Sequence, residues 1–169
     1  MVRAFILSVL VLAAATLPSE AAKRTVHLFT NPYVFDFPRE YKFIKRVDLK
    51  DGKRDTVLFA NKNKSIAISA SAYDPAKAGK LMSREAYTAK MNTNKSTEIK
   101  YINDETSDGL LGSHLLGACD AKNCFYEMQS VVGQKVWLSV AVMCDDCSKA
   151  DISEVGVLAD KLYQRLRTF

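Results

Sequence analysis

The sequence predicts an α+β fold in which helices cover a mostly antiparallel sheet and an amphipathic helix ends the chain. Three observations support this fold class. Short stretches of alternating apolar and polar residues recur along the chain, only Gly133-Gln134 separates the last two of them, and apolar residues recur at helical spacing after residue 151. No repeat or Pro/Gly-rich linker divides the 169 residues of the sequence. A single folded domain is therefore expected.

The N-terminus has the pattern of a cleavable secretory signal peptide. Arg3 precedes an uncharged, mainly apolar run over residues 4–15, and small residues follow shortly before Ala22. The run is shorter than the roughly 20 residues that a membrane span needs, and no second such run follows it. The sequence thus predicts a signal peptide over 1–21, one domain over 22–169, and a periplasmic or secreted protein with no transmembrane segment after cleavage.

The strands are predicted from alternation and from the turns that bound them. Residues 33–37 alternate weakly and predict a short strand. Residues 56–59 and 66–73 predict a hairpin whose second strand has one apolar face and one small, polar face. Further strands are predicted at 97–102, 110–118, 124–132 and 135–143. In the last strand, alternation places Trp137 on the face opposite to that of Leu138.

Two helices are predicted, one in the middle of the chain and one at its end. Ser83 is suited to cap a helix that runs to about residue 91 or 94. Asp151 and Glu154 resemble a capping box for the second helix. The apolar residues of this second helix are Ile152, Val155, Leu158, Ala159, Leu162, Leu166 and Phe169. They share one face, so the terminal helix is expected to lie on the sheet.

The element order and one entry motif resemble the Mog1/PsbP-like fold. The motif is a loose Phe-x-x-Pro-x-x-Tyr pattern, met here by Phe35, Pro38 and Tyr41 within the segment FDFPREY. The resemblance covers roughly residues 30–169. Members of that fold serve as photosystem assembly factors, Ran-binding factors and secretion chaperones. The resemblance therefore implies a binding or assembly role and no particular reaction.

The four cysteines are an even number in a chain expected to be exported. They are Cys119, Cys124, Cys144 and Cys147. Two structural disulfides are favoured, the first cysteine with the second and the third with the fourth. Crossed pairing stays open, because an uninterrupted hairpin places Cys124 opposite Met143 and brings both pairs to one end of the sheet.

Two other interpretations of the cysteines are weighed against structural disulfides. A redox-active Cys144-Asp145-Asp146-Cys147 motif needs a stabilised thiolate. The two aspartates oppose that thiolate, and the predicted helix begins several residues later. A four-thiolate zinc site has roughly the right spacing, but an oxidising compartment competes with it. No metal is therefore expected.

A basic stripe between Arg39 and Lys64 contributes to the net charge of +5. A solvated face that keeps the protein soluble is the favoured interpretation of such a stripe, and binding to an anionic surface is the alternative. The predicted binding residues are Arg39, Lys42, Lys45, Arg46, Lys50, Lys53 and Arg54. Nucleic acid is not expected as a partner, because the chain is expected to be exported and carries no base-stacking motif.

The sequence contains no recognisable catalytic constellation. His27 and His114 stand alone, and neither a nucleophile elbow nor a phosphate-binding or dinucleotide-binding glycine motif is present. No catalytic residue and no cofactor are expected. The leading hypothesis is an exported, non-enzymatic binding or assembly protein that contacts another exported protein. The alternatives are a thiol-disulfide oxidoreductase using Cys144 and Cys147, and a binder of anionic surfaces through the basic stripe.

Overall fold

A computed structural model describes residues 21–29, 31–48, 52–74, 76, 83–91, 98–105, 111–133 and 135–167. Outside these ranges lie residues 1–20 of the predicted signal peptide, Lys50 of the basic stripe and Phe169 of the terminal helix. The described elements are β1 (Ala21–Leu28), β2 (Asn31–Pro38), β3 (Lys42–Asp48), β4 (Arg54–Ala60), β5 (Ile66–Tyr73), α1 (Arg84–Met91), β6 (Glu98–Glu105), β7 (Leu111–Cys119), β8 (Cys124–Val132), β9 (Lys135–Cys144) and α2 (Lys149–Leu166).

Seven of the strands form one antiparallel sheet, in the order β3-β4-β5-β9-β8-β7-β6. β1 and β2 pair with each other in a separate antiparallel hairpin. Within the large sheet, β5 and β9 are neighbours although they are far apart in the sequence. β3 and β6 are its edge strands.

One face of the sheet carries the main core. Its buried side chains include Ala70 of β5, Val140 of β9 and Met128 of β8, which lie opposite one another across the paired strands. α2 packs on this face against β7, β8 and β9, while the hairpin contacts β4 and, through β2, also α2. Phe35 and Phe37 of the hairpin are buried in the same apolar cluster. The hairpin and α2 therefore lie side by side over one core.

The prediction of a sheet covered by helices is wrong. The structure is a sheet-rich α+β fold, and a β-hairpin takes the place of a second helix over the core face. The physical reason is visible in β1, where Val26 and Leu28 are buried while Thr25 and His27 are exposed. This period of two lets a hairpin present one apolar face to the sheet, as an amphipathic helix does with its own period.

On the opposite face of the sheet, β5 carries small and polar side chains, as predicted. Thr56 and Ser71 share a hydrogen bond of 2.8 Å between their hydroxyl oxygens, and Ser139 donates to Glu127 Oε1 at 2.6 Å. α1 contributes the buried ring of Tyr87. Burial, followed by the nearby Glu127 and Tyr126, raises the pKa of Tyr87 to about 12. The Tyr87 side chain therefore stays neutral at physiological pH.

Gly117 is required by a close approach between neighbouring strands. It pairs with Tyr126 of β8, and a Cβ added at Gly117 would overlap the Tyr126 ring. We expect Gly117→Ala to lower the free energy of unfolding by about 1–3 kcal/mol, because the ring must leave its place in the packed sheet. Urea unfolding measures this change.

The matched control for Gly117→Ala is Gly156→Ala in α2, where an added Cβ meets nothing within 4 Å. We expect that control to keep or raise stability, because alanine favours a helix by about 1 kcal/mol over glycine. Equal stability of Gly117→Ala and the wild-type protein would contradict the close approach.

Candidate functional site

The edge strand β3 is the most exposed strand of the large sheet. Every side chain from Lys42 to Arg46 is exposed, including the apolar Phe43 at 56% and Ile44 at 46%. The pairing with β4 shifts between Phe43 and Lys45, which makes Ile44 a bulge residue. Lysines and bulges are common devices that keep an edge strand from pairing with other sheets. Two adjacent large apolar side chains at such an edge offer burial to a partner.

The turn between β4 and β5 adds two lysines beside this strand. Lys62 and Lys64 are exposed there, and Asn61 shapes the turn. The Asn61 side chain accepts a hydrogen bond from the backbone N–H of Ile66 at 3.1 Å, and its backbone carbonyl accepts one from Lys64 at 3.1 Å. The amide of Asn61 thus fixes the turn that carries both cations.

A shallow pocket of about 410 Å3 joins these two parts of the surface. Its lining residues are Glu40, Lys42, Ile44, Ala60, Asn61, Lys62 and Lys64. Three lysines face one carboxylate in this set, so the lining carries a net positive charge. We define the β3 edge as this pocket together with the exposed Phe43 and Lys45. The β3 edge combines cations with apolar side chains, which suits an acidic partner.

The structure divides the predicted basic stripe. Arg39, Lys42 and Lys45 are exposed at or next to the β3 edge. Lys53 and Arg54 lie at the other end of β4, about 20 Å along the strand from Ala60 at roughly 3.3 Å per residue. Lys62 and Lys64 also belong to the stripe but are not among its predicted binding residues. Antiparallel pairing of β3 with β4 is what brings them to Lys42.

Arg46 of the stripe is engaged inside the fold. Its Nη1 lies 2.7 Å from Asp55 Oδ2, and its Nη2 donates to the carbonyl of His27 at 2.5 Å. Asp55 is buried and also accepts a hydrogen bond from the backbone N–H of Phe29 at 2.5 Å. These contacts fasten the tip of the β1-β2 hairpin to the sheet. Arg46 therefore has a structural role besides any contact with a partner.

Both disulfides have the preferred pairing. Cys119 is bonded to Cys124, and Cys144 to Cys147, and no cysteine is free. All four lie at one end of the sheet, because Cys124 pairs with Cys119 on one side and with Cys144 on the other. The sulfurs are engaged in disulfides, which leaves no thiolate for the zinc alternative.

The predicted start of the terminal helix is wrong by one turn. Ser148 is the N-cap of α2, and the capping box joins it to Asp151: the Ser148 hydroxyl accepts from the Asp151 N–H at 3.1 Å. In return, Asp151 Oδ2 accepts from the Ser148 N–H at 3.0 Å. Hydrogen bonds from Ser148, and then from Ser65, lower the pKa of Asp151. The helix therefore begins directly after Cys147 and not several residues later.

The adjacency of Cys147 and α2 removes one argument against the redox interpretation, but burial supplies another. Cys144 is 3% exposed and Cys147 is 8% exposed. An exchange enzyme needs an attacking sulfur that its substrate can reach. The buried disulfide between Cys144 and Cys147 instead links the end of β9 to the N-terminus of α2, which is a structural arrangement.

A β-bulge in β9 changes two sequence-based expectations. Ser130 pairs with Leu138 and Val131 with Val136, so Trp137 has no partner on β8. The extra residue places Cys124 opposite Cys144, one position away from the expected Met143. It also overturns the expected orientation of Trp137, which packs against the main core. Bulges are known to redirect a side chain in this way.

The two histidines lie apart from each other, one buried on β7 and one exposed on β1. Within the described ranges, no group of three His, Cys, Asp or Glu side chains is arranged to hold a metal ion. His114 is buried beside the ring of Tyr101, at 6.5 Å between ring centroids, and His27 is exposed on β1.

Neither described helix combines the length and apolarity needed to cross a membrane. Comparison of the sequence with protein-family models and with curated proteins finds no match.

Proposed function

We propose that this protein is an exported binding or assembly protein whose β3 edge contacts an acidic segment of a partner protein. The observation that carries the proposal is the joint exposure of Phe43 and Ile44 among the lysines of an edge strand. The two disulfides are compatible with an oxidising location, which supports the proposed export. The resemblance to the Mog1/PsbP-like fold also favours a binding role over a reaction.

The apolar and charged parts of the β3 edge have different tasks in this proposal. Phe43 is held by an edge-to-face contact with the buried Phe59, at 6.0 Å between ring centroids, so its exposed surface is preorganised for burial. Lys42, Lys62 and Lys64 attract carboxylates and set the orientation of an acidic segment. Charges of this kind at a rim act mainly on the association rate and on specificity.

The test compares two variants that lose the same positive charge. The edge variant carries Lys42→Gln, Lys45→Gln, Lys62→Gln and Lys64→Gln. The control variant carries Lys23→Gln, Lys135→Gln, Lys149→Gln and Lys161→Gln, all at exposed positions outside the β3 edge. Chemical crosslinking in the native envelope or secretome, followed by quantitative mass spectrometry, measures the captured partner. We expect the edge variant to lose about tenfold or more of the captured acidic protein.

The control variant is expected to capture the partner as the wild-type protein does. Equal capture by the edge variant and the control would show that the β3 edge is not the site. Salt-sensitive retention of the wild-type protein on acidic lipid vesicles, without any crosslinked protein, would replace the proposal with the anionic-surface alternative.

A further inference from the structure

An aromatic cleft lies beside the hairpin tip and is separate from the β3 edge. Its volume is about 440 Å3. The lining residues are Phe29, Asn31, Tyr33, Gly52, Ala72, Tyr73, Asp74 and Trp137. Half of these eight residues are aromatic. The four rings come from three parts of the chain: the hairpin, the end of β5 and the start of β9. A volume of this size falls in the range of small-molecule sites.

Two of the rings are fixed by their neighbours. Tyr33 contacts Trp137 at 6.1 Å between ring centroids, with the planes tilted by 45°. On its other side, Tyr33 stacks on the buried Phe35 at 6.4 Å and 19°. Trp137 reaches this position because it is the extra residue of the β9 bulge. The bulge therefore serves to add a ring to the cleft wall.

Phe29 is held at the rim in an unfavourable backbone conformation. Its φ is +52°, a region that residues other than glycine rarely adopt, and its side chain is 41% exposed. The Phe29 N–H donates to the buried Asp55, which is itself paired with Arg46. The buried carboxylate of Asp55, which is paired with the exposed Arg46, thus keeps a large apolar ring at the mouth of the cleft.

The lining of the cleft includes one carboxylate. Among the described lining residues, Asp74 is the one charged side chain, although the chain carries a net charge of +5. Asp74 Oδ1 accepts a hydrogen bond from the Ala76 N–H at 2.9 Å, and the Asp74 N–H donates to the Lys53 carbonyl at 3.0 Å. These bonds fix the carboxylate beside the rings.

We propose that the aromatic cleft binds a small organic cation of the quaternary ammonium class. Aromatic rings present a negative face to a cation, and several rings with a carboxylate form the arrangement that selects methylated amines. Phe29, Tyr33, Tyr73 and Trp137 supply the rings, Asp74 supplies the charge, and Asn31 supplies a polar group for orientation. This inference does not depend on the function proposed for the β3 edge.

The cleft contains its own reporter, because Trp137 is the only tryptophan of the chain. Its fluorescence is followed during titration with choline and, separately, with 3,3-dimethylbutan-1-ol, in which a carbon replaces the charged nitrogen. We expect choline to give a saturable change and the neutral analogue to bind about tenfold or more weakly.

Asp74→Asn and Tyr73→Leu keep the tryptophan reporter and remove one feature each. Asp74→Asn is expected to weaken the binding of choline about tenfold and to leave the binding of the neutral analogue unchanged. Tyr73→Leu is expected to weaken the binding of both compounds. Phe43→Leu, which changes an aromatic side chain outside the cleft, is the control and is expected to bind choline as the wild-type protein does. Thermal melts of each variant establish that it folds.

Three results would overturn the proposal. Equal affinities for choline and its neutral analogue would make the cleft an apolar site without preference for a cation. A saturable response to neutral mono- or disaccharides in place of choline would assign the rings to sugar stacking. No response to any of these probes would leave the rings a purely structural role.

Discussion

Removal of both disulfides is expected to lower the free energy of unfolding by about 4 kcal/mol. The change is made by replacing all four cysteines with serine. The bridges close short loops, with sequence separations of 5 and 3 residues, and the chain-entropy model assigns about 2 kcal/mol to each loop of this size. Urea unfolding of the variant, and of the wild-type protein with and without reductant, measures the change.

The two bridged loops are also joined to each other, which makes their effects interdependent. The Cys147 N–H donates to the carbonyl of Lys122 at 2.6 Å, and Lys122 Nζ lies 3.4 Å from Asp146 Oδ1. Asp120 Oδ1 organises the β7-β8 loop by accepting from the Lys122 and Asn123 N–H groups at 2.8 and 2.7 Å. Losing either bridge loosens the partner loop. One double-serine variant removes each bridge. The losses of unfolding free energy in these two variants should therefore not sum to the loss in the fourfold variant.

The same variants decide between a structural and a redox role. We expect no free thiols in the native protein and no acceleration of insulin reduction. Rapid insulin turnover that vanishes in Cys144→Ser would contradict the structural role and restore the oxidoreductase alternative.

Tyr41→Ala is expected to lower the free energy of unfolding by about 3–5 kcal/mol, as truncation of other buried aromatic residues does. Tyr41 is fully buried and meets the Phe37 ring edge-to-face, at 6.4 Å between centroids. Its hydroxyl donates to Glu154 Oε1 of α2 at 2.7 Å. The residue therefore links the chain leaving the hairpin to the terminal helix. Tyr41→Phe keeps the ring and is expected to cost about 1 kcal/mol, the net value of a hydrogen bond.

Tyr41 also predicts how stability changes at alkaline pH. Burial, and then the hydrogen bond and charge of Glu154, raise the pKa of Tyr41 well above its usual value. The unfolded chain loses this proton near pH 10, while the folded protein retains it. The stabilisation is therefore complete below about pH 10 and is lost as the pH rises further. Urea unfolding between pH 9 and 11 should show a smaller decline in the free energy of unfolding for Tyr41→Phe than for the wild-type protein. Equal declines in the two proteins would contradict the assignment to Tyr41.

The sequence predicted β5 well but missed the edge strand β3, and it also missed β1, whose apolar alternation is confined to Val26 and Leu28. β5 alternates cleanly because one of its faces lies on the core, and its boundaries agree with the predicted 66–73. β3 was not predicted, because its side chains from Lys42 to Arg46 are all exposed and its pattern carries charge without alternation. Lys42 and Lys45 of the β3 edge were thus predicted from their charge, whereas its apolar residues and its strand were found only in the structure.

Pairing across strands explains the other features of the structure that the sequence did not predict. Lys62 and Lys64 join Lys42 only because β3 and β4 run antiparallel, a relation that no local pattern records. The bulge at Trp137 depends on the register of two paired strands, so alternation within one strand cannot reveal it. The aromatic cleft depends on that bulge and on the hairpin tip, and it was not predicted from the sequence.

The adjacency of β5 and β9 has a consequence for the order in which the fold is completed. About 60 residues separate Tyr73 from Lys135, yet these two strands meet at the centre of the sheet. Until β9 is available, β5 has no partner on its inner side, and the β3-β4-β5 meander ends in an open border. Such distant pairing slows folding, because the intervening chain must close first. An unpaired strand edge can pair with strands of other chains, so the last third of the sequence, which supplies β9, also closes this route to aggregation.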